Sequence, residues 1–112
     1  MRLEVKTALE DARRAAERVA TFTNGKTLDE YLSDALLRAA VERQFEIIGE
    51  ALTRVRKSDS SVLERITAHP RIVAFRNILI HAYDRVEDRV VWDIVGQHLP
   101  LLQGELNTLL AE

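Results

Sequence analysis

Apolar residues recur along this 112-residue chain at steps of three and four, the period of amphipathic helices. Val5, Ala8, Leu9, Ala12, Ala15, Ala16, Val19 and Phe22 form the first such stripe, with Glu, Lys and Arg between them. Asn24-Gly25 then supplies a C-terminal stop. Thr27-Leu28-Asp29-Glu30 reads as a capping box, the threonine hydroxyl serving a backbone N–H and the glutamate reaching back. A second helix is predicted from there to about Lys57. It carries two apolar stripes, Leu32, Leu36 and Ala39 early and Val41, Phe45, Ile48, Leu52 and Val55 later, so more than one neighbour should bury it. Gly49 lies within it and costs a helix ~1 kcal/mol relative to alanine. A closely approaching backbone would justify that cost.

After the polar turn Lys57 to Ser60, Ser61-Val62-Leu63-Glu64 repeats the capping-box pattern and predicts a short helix. His69-Pro70 breaks the chain, with His69 as a cap and the proline starting the next helix, which runs from about Arg71 to Ala82. Tyr83 to Asp88 reads as a charged turn. Val91, Ile94, Val95, Leu99, Leu102, Leu106 and Leu109 line one side of the last segment, which Pro100 should kink or restart. The expectation is a single all-α domain over residues 1–112, an antiparallel up-and-down four-helix bundle with an additional short helix. No strand pattern or internal repeat is present.

Composition narrows the chemistry. The chain has no cysteine, which removes disulfides, cysteine-type zinc fingers and thiol catalysis. No apolar run approaches the ~18 residues of a membrane span, and MRLEVKTALEDARRAAERVA lacks the apolar segment of a signal peptide. A cytoplasmic location without membrane contact is therefore expected. Glu46 and Glu50 stand one turn apart but have no accompanying Glu-x-x-His motif, so no metal site and no cofactor is expected. The net charge is −2, yet Arg54, Arg56, Lys57, Arg65, Arg71 and Arg76 outnumber Asp59 and Glu64 between residues 54 and 83. Such a basic middle could attract a phosphate backbone. His98 and Trp92 read as packing groups of the last segment.

FRNILIHAYD, residues 75–84, sets Arg76, Asn77, His81 and Tyr83 into an otherwise apolar stretch. On a regular helix Arg76 and Tyr83 fall within ~20° of each other, whereas His81 is turned by ~140° from Arg76 and displaced ~7.5 Å along the axis. One regular helix cannot aim Arg76 and His81 at the same small target. Either a helix ending near Ala82 or a second copy of the chain must bring them together, and a composite site in a dimer cleft is the favoured reading. Histidine can take or give a proton near neutrality, arginine can pair with phosphate, and asparagine can orient either. RNA cleavage needs little more, because the 2′-hydroxyl is a built-in nucleophile. Without family context, the same groups read more readily as helix-terminal caps and surface contacts.

The spacing Arg76, Asn77, three apolar residues, His81, one residue, Tyr83 resembles the signature of the HEPN superfamily, and the tyrosine resembles its HepT branch. VERQFEIIGEAL (41–52), TFTNGKTLDEYLSDALLRAAVER (21–43) and VVWDIVGQHLPLL (90–102) resemble the same branch, so the likeness covers nearly the whole chain. It implies a homodimeric helical bundle with the motif helices lining a cleft. The implied activity is that of a metal-independent ribonuclease toxin. The implied partner is an MntA-like nucleotidyltransferase antitoxin that transfers AMP to Tyr83. Arg76 and His81 would be the catalytic pair, with Asn77 and Tyr83 supporting. The alternative is a non-catalytic HEPN module that binds a nucleotidyltransferase or a nucleotide. The likeness departs after Tyr83, where DRVEDR is unusually charged. Asp84, Glu87 and Asp88 there would repel phosphate, with Arg85 and Arg89 as a partial offset.

Overall fold

The computed structural model describes residues 1–112. α1 (Leu3–Thr23) ends where expected, with Asn24 as its cap and Gly25 in the left-handed region at φ +72°, a conformation open to glycine at little cost. Its stripe from Val5 to Val19 is fully buried. The capping box forms as predicted: Thr27 Oγ1 accepts from the Glu30 N–H at 3.1 Å, and Glu30 accepts from the Thr27 N–H at 3.0 Å.

The helix this box starts is short, contrary to expectation. α2 (Leu28–Ser33) stops at Asp34, whose backbone is extended and whose carboxylate accepts from the Leu37 N–H at 3.0 Å, opening α3 (Ala35–Ser58). Aspartate competes for backbone N–H groups and so favours caps over helix interiors. The break resets the helical phase. Leu36 and Ala39 of the expected early stripe are exposed, and Tyr31 and Leu37 are buried in their place. The later stripe, Val41 to Val55, is buried as predicted.

Asp59, not Ser61, caps α4 (Ser60–Leu63), its carboxylate accepting from the Ser61 N–H. The expected polar turn, Lys57 to Ser60, shrinks to Asp59 alone, since α3 continues to Ser58 and α4 starts at Ser60. α5 (His69–His81) begins after Ala68, so His69 is its first residue and not its cap, and Pro70 takes the second position, where its missing N–H costs nothing. A 3-10 turn (Tyr83–Arg85) leads to α6 (Asp88–Gln97), and α7 (Leu99–Leu110) restarts at Pro100 as expected.

The long rods run antiparallel. Arg2 at the start of α1 donates to the Ser58 carbonyl at the end of α3, and Arg54 meets Asp11 at 2.8 Å. α1 packs on α3 and α7, α3 on α5, and α2 on α6. Trp92 joins the last pair by packing on Tyr31 with ring centroids 5.1 Å apart. A single 29-residue core runs between them. No helix is long and apolar enough to cross a membrane.

Candidate functional site

Ile72, Phe75 and Leu79 anchor α5 in the core, with Phe75 set edge-on to Phe45 of α3 at 5.5 Å. This anchoring turns Arg76 onto the flank where α5 crosses α3, directly over Gly49. A Cβ built on Gly49 would lie 2.3 Å from Arg76 Cβ and 2.6 Å from its Cγ. The glycine thus makes room for the arginine stem, where a close backbone was expected. The guanidinium is held beyond it: Nη2 donates to Glu50 Oε2 at 2.8 Å and Nη1 to Asn77 Oδ1 at 3.2 Å. Nε is buried with no partner.

Around this head group lies an open hollow of about 330 Å³, lined by Arg43, Glu46, Ile47, Glu50, Arg54, Arg76 and Ile80. That volume is within the ~300–1,000 Å³ range of small-ligand sites. Roomier hollows beside Pro100 and beside Leu3 contain none of the four motif side chains. The lining arginines are already engaged, Arg43 by Glu46, Arg54 by Asp11 and Arg76 by Glu50. The basic middle counted along the sequence is consequently not a basic face. Arg65 is also paired, with Glu112, leaving Arg56, Lys57 and Arg71 without an ion pair in the chain. Charge counts along a sequence do not register partners that the fold brings in.

His81 ends α5 and is exposed, with no hydrogen bond to Arg76, Asn77 or Tyr83. It belongs to a different face from Arg76: Ala74, Asn77, Ile78 and His81 form an exposed stripe at helical spacing. The expected shared face of Arg76 and Tyr83 does not exist. The helix stops at His81 and Ala82 leaves it at φ −146°, ψ 49°, so the seven-residue phase relation lapses. Tyr83 instead reaches back to α3 and donates its hydroxyl to Glu42 Oε1 at 2.8 Å. Glu42 and Glu50 are eight residues apart on α3, ~12 Å along the axis. Within one chain, then, Arg76 and Asn77 are together, Tyr83 is tied elsewhere, and His81 stands free.

Glu42 and Glu50 were not legible as site residues. Glu50 carries no signal beyond its place next to Gly49. Glu42 does carry one, since it lies one turn before Phe45 and two before Gly49 on the buried side of α3. Burial pushes its carboxyl above the usual glutamate range, the Tyr83 hydrogen bond works against that, and Asp88 adds to it. Tyr83 is itself raised, chiefly because its hydroxyl is bonded to Glu42. Asp88 of the charged loop faces Arg38 at 3.6 Å, so part of the loop's negative charge is met within the chain.

A family model described as "Ribonuclease HepT-like" matches residues 12–109. A protein of Thermococcus cleftensis described as "Probable ribonuclease HepT" is 34% identical over 109 residues, covering 97% of this chain and 98% of its own. One of Methanocaldococcus jannaschii described as "Putative RNase MJ1380" is 33% identical over 105 residues, covering 92% and 94%. No solved structure matches the chain.

Proposed function

The chain belongs to the HepT-like ribonuclease family, and from that premise we propose that it cleaves RNA without a metal, as the toxin of a toxin–antitoxin pair acting in the cytoplasm. The observation that carries the reading is the seat built for Arg76. Gly49 gives up helix stability where only the arginine stem needs the space, and Glu50 and Asn77 hold the guanidinium in one orientation. A fixed guanidinium suits a phosphodiester, whose growing negative charge it can meet without reorganising. The 2′-hydroxyl of the substrate attacks the neighbouring phosphorus and the 5′-oxygen leaves, with His81 taking or giving the proton.

His81 lies on the outward stripe of α5 with Ala74, Asn77 and Ile78. The reading requires a second copy that packs against this side of α5 and carries its His81 to the Arg76 flank of the first. The working unit is therefore a homodimer with sites shared across its axis. AMP on Tyr83, delivered by an MntA-like nucleotidyltransferase, would silence it. The nucleotide adds bulk and negative charge two residues beyond His81, at the histidine end of α5, and repels incoming phosphate.

Incubation of RNA with the purified chain in a metal chelator, beside Arg76→Ala and His81→Ala, tests the reading. Cleavage by the wild type and loss in both variants is expected. Cleavage that survives either substitution contradicts the catalytic assignment. An inert wild type would favour the non-catalytic binding module.

A further inference from the structure

Glu42 is one of only two polar or charged residues the fold buries, at 5% exposure, and it forms no ion pair in the chain. The one hydrogen bond its carboxylate accepts comes from the Tyr83 hydroxyl. Tyr83 itself is 61% exposed, whereas the other tyrosine, Tyr31, is fully buried. A buried acceptor has therefore been placed against the oxygen of the one tyrosine that an outside reagent can reach. Structural needs do not account for this. A buried carboxylate is costly unless well paired, and a glutamine would accept the same bond without a charge.

We infer that Glu42 is the general base that removes the Tyr83 proton when this tyrosine accepts a nucleotidyl group. The inference rests on the reading of Tyr83 as the AMP acceptor. Tyr83 Oη attacks the α-phosphorus of ATP, forming the Oη–P bond. The bond from that phosphorus to the bridging oxygen breaks, and pyrophosphate leaves with the electron pair. The Oη proton passes over the 2.8 Å hydrogen bond to Glu42 Oε1. A base is needed because Glu42 and Asp88 hold the phenol above its ordinary ionisation range, so little phenolate stands ready beforehand. Afterwards the neutral carboxyl can donate back to the ester oxygen, and the group stays paired in the buried site. The acceptor chain thus brings its own catalytic residue to the transfer, and the tyrosine selected is the one with that base behind it.

The test uses the purified chain, an MntA-type nucleotidyltransferase and α-³²P-labelled ATP, with initial rates measured against acceptor concentration. Wild type should be labelled and Tyr83→Phe should not. Glu42→Gln, which keeps the acceptor oxygen, should lower kcat by ~10²-fold or more, the range of general-base catalysis, with KM unchanged. Equal kcat for Glu42→Gln and wild type overturns the base assignment alone, as does a loss confined to KM. No label on wild type, or label retained in Tyr83→Phe, overturns the acceptor reading and the base with it. Should circular dichroism show Glu42→Gln unfolded, Glu42→Asp decides. Its retracted carboxylate should give an intermediate kcat, and a wild-type kcat would overturn the proposal.

Discussion

Gly49 and Arg76 occupy one volume between them, so alanine at position 49 must move the arginine. The substitution gains ~1 kcal/mol of helix propensity but forces overpacking that costs ~1–3 kcal/mol. Gly49→Ala should therefore melt no higher than wild type. Its cleavage should fall by ~10²-fold, the usual penalty for a ~1 Å misplacement at a reacting centre, and a melt alongside an RNA cleavage assay checks both. Glu50 acts in the other direction, occupying the guanidinium that a phosphate must win. Glu50→Gln should tighten RNA binding, most at low salt, as a titration over ionic strength will read. At Glu42 the sign follows from its raised carboxyl. The folded state holds this proton more tightly than the unfolded chain, so the contribution to stability is present below the ordinary value of 4.5 and is lost as pH rises through the folded value. Glu42→Gln should thus melt above wild type at neutral pH, and the gap should close as pH falls through the folded value toward 4.5. The motif arginine, asparagine, histidine and tyrosine were readable because their chemistry and spacing are local. Glu42 and Glu50 were not, because their meaning comes from residues 41 and 26 positions away.

At the scale of elements, Asp34 separates two helices that periodicity joins. Its cap on Leu37 should be worth ~1 kcal/mol, so Asp34→Ala is expected to lower the melting temperature by ~4 °C. A melt unchanged by the substitution would show that packing alone sets the break. The apolar period was a sound guide wherever one helix continues, as in α1 and from Val41 to Val55. It failed at Leu36, which is 81% exposed, because a one-residue break shifts every later position around the axis. The same limit explains Tyr83. Its seven-residue relation to Arg76 assumes a helix that Ala82 has already ended, and helical phase carries no information past a helix end, even one the sequence places correctly.

For the whole molecule, the bundle leaves the outer face of α5 open, with Ile78 at 38% exposure alongside Ala74, Asn77 and His81. If a second copy covers this face and completes the site, as proposed, assembly and activity should fail together. Ile78→Asp should sediment as a monomer, retain its helical signal, and cut RNA poorly. The most direct measurement mixes two inactive variants, Arg76→Ala and His81→Ala, by co-expression. In a dimer whose sites are shared across the axis, one site of each mixed dimer keeps both an intact arginine and an intact histidine. Random pairing makes about half of the dimers mixed, so about a quarter of wild-type cleavage should return. Recovery near that level is the predicted result. A mixture as inactive as either parent, with mixed dimers present, would place Arg76 and His81 of one chain at the same phosphate and contradict the shared site.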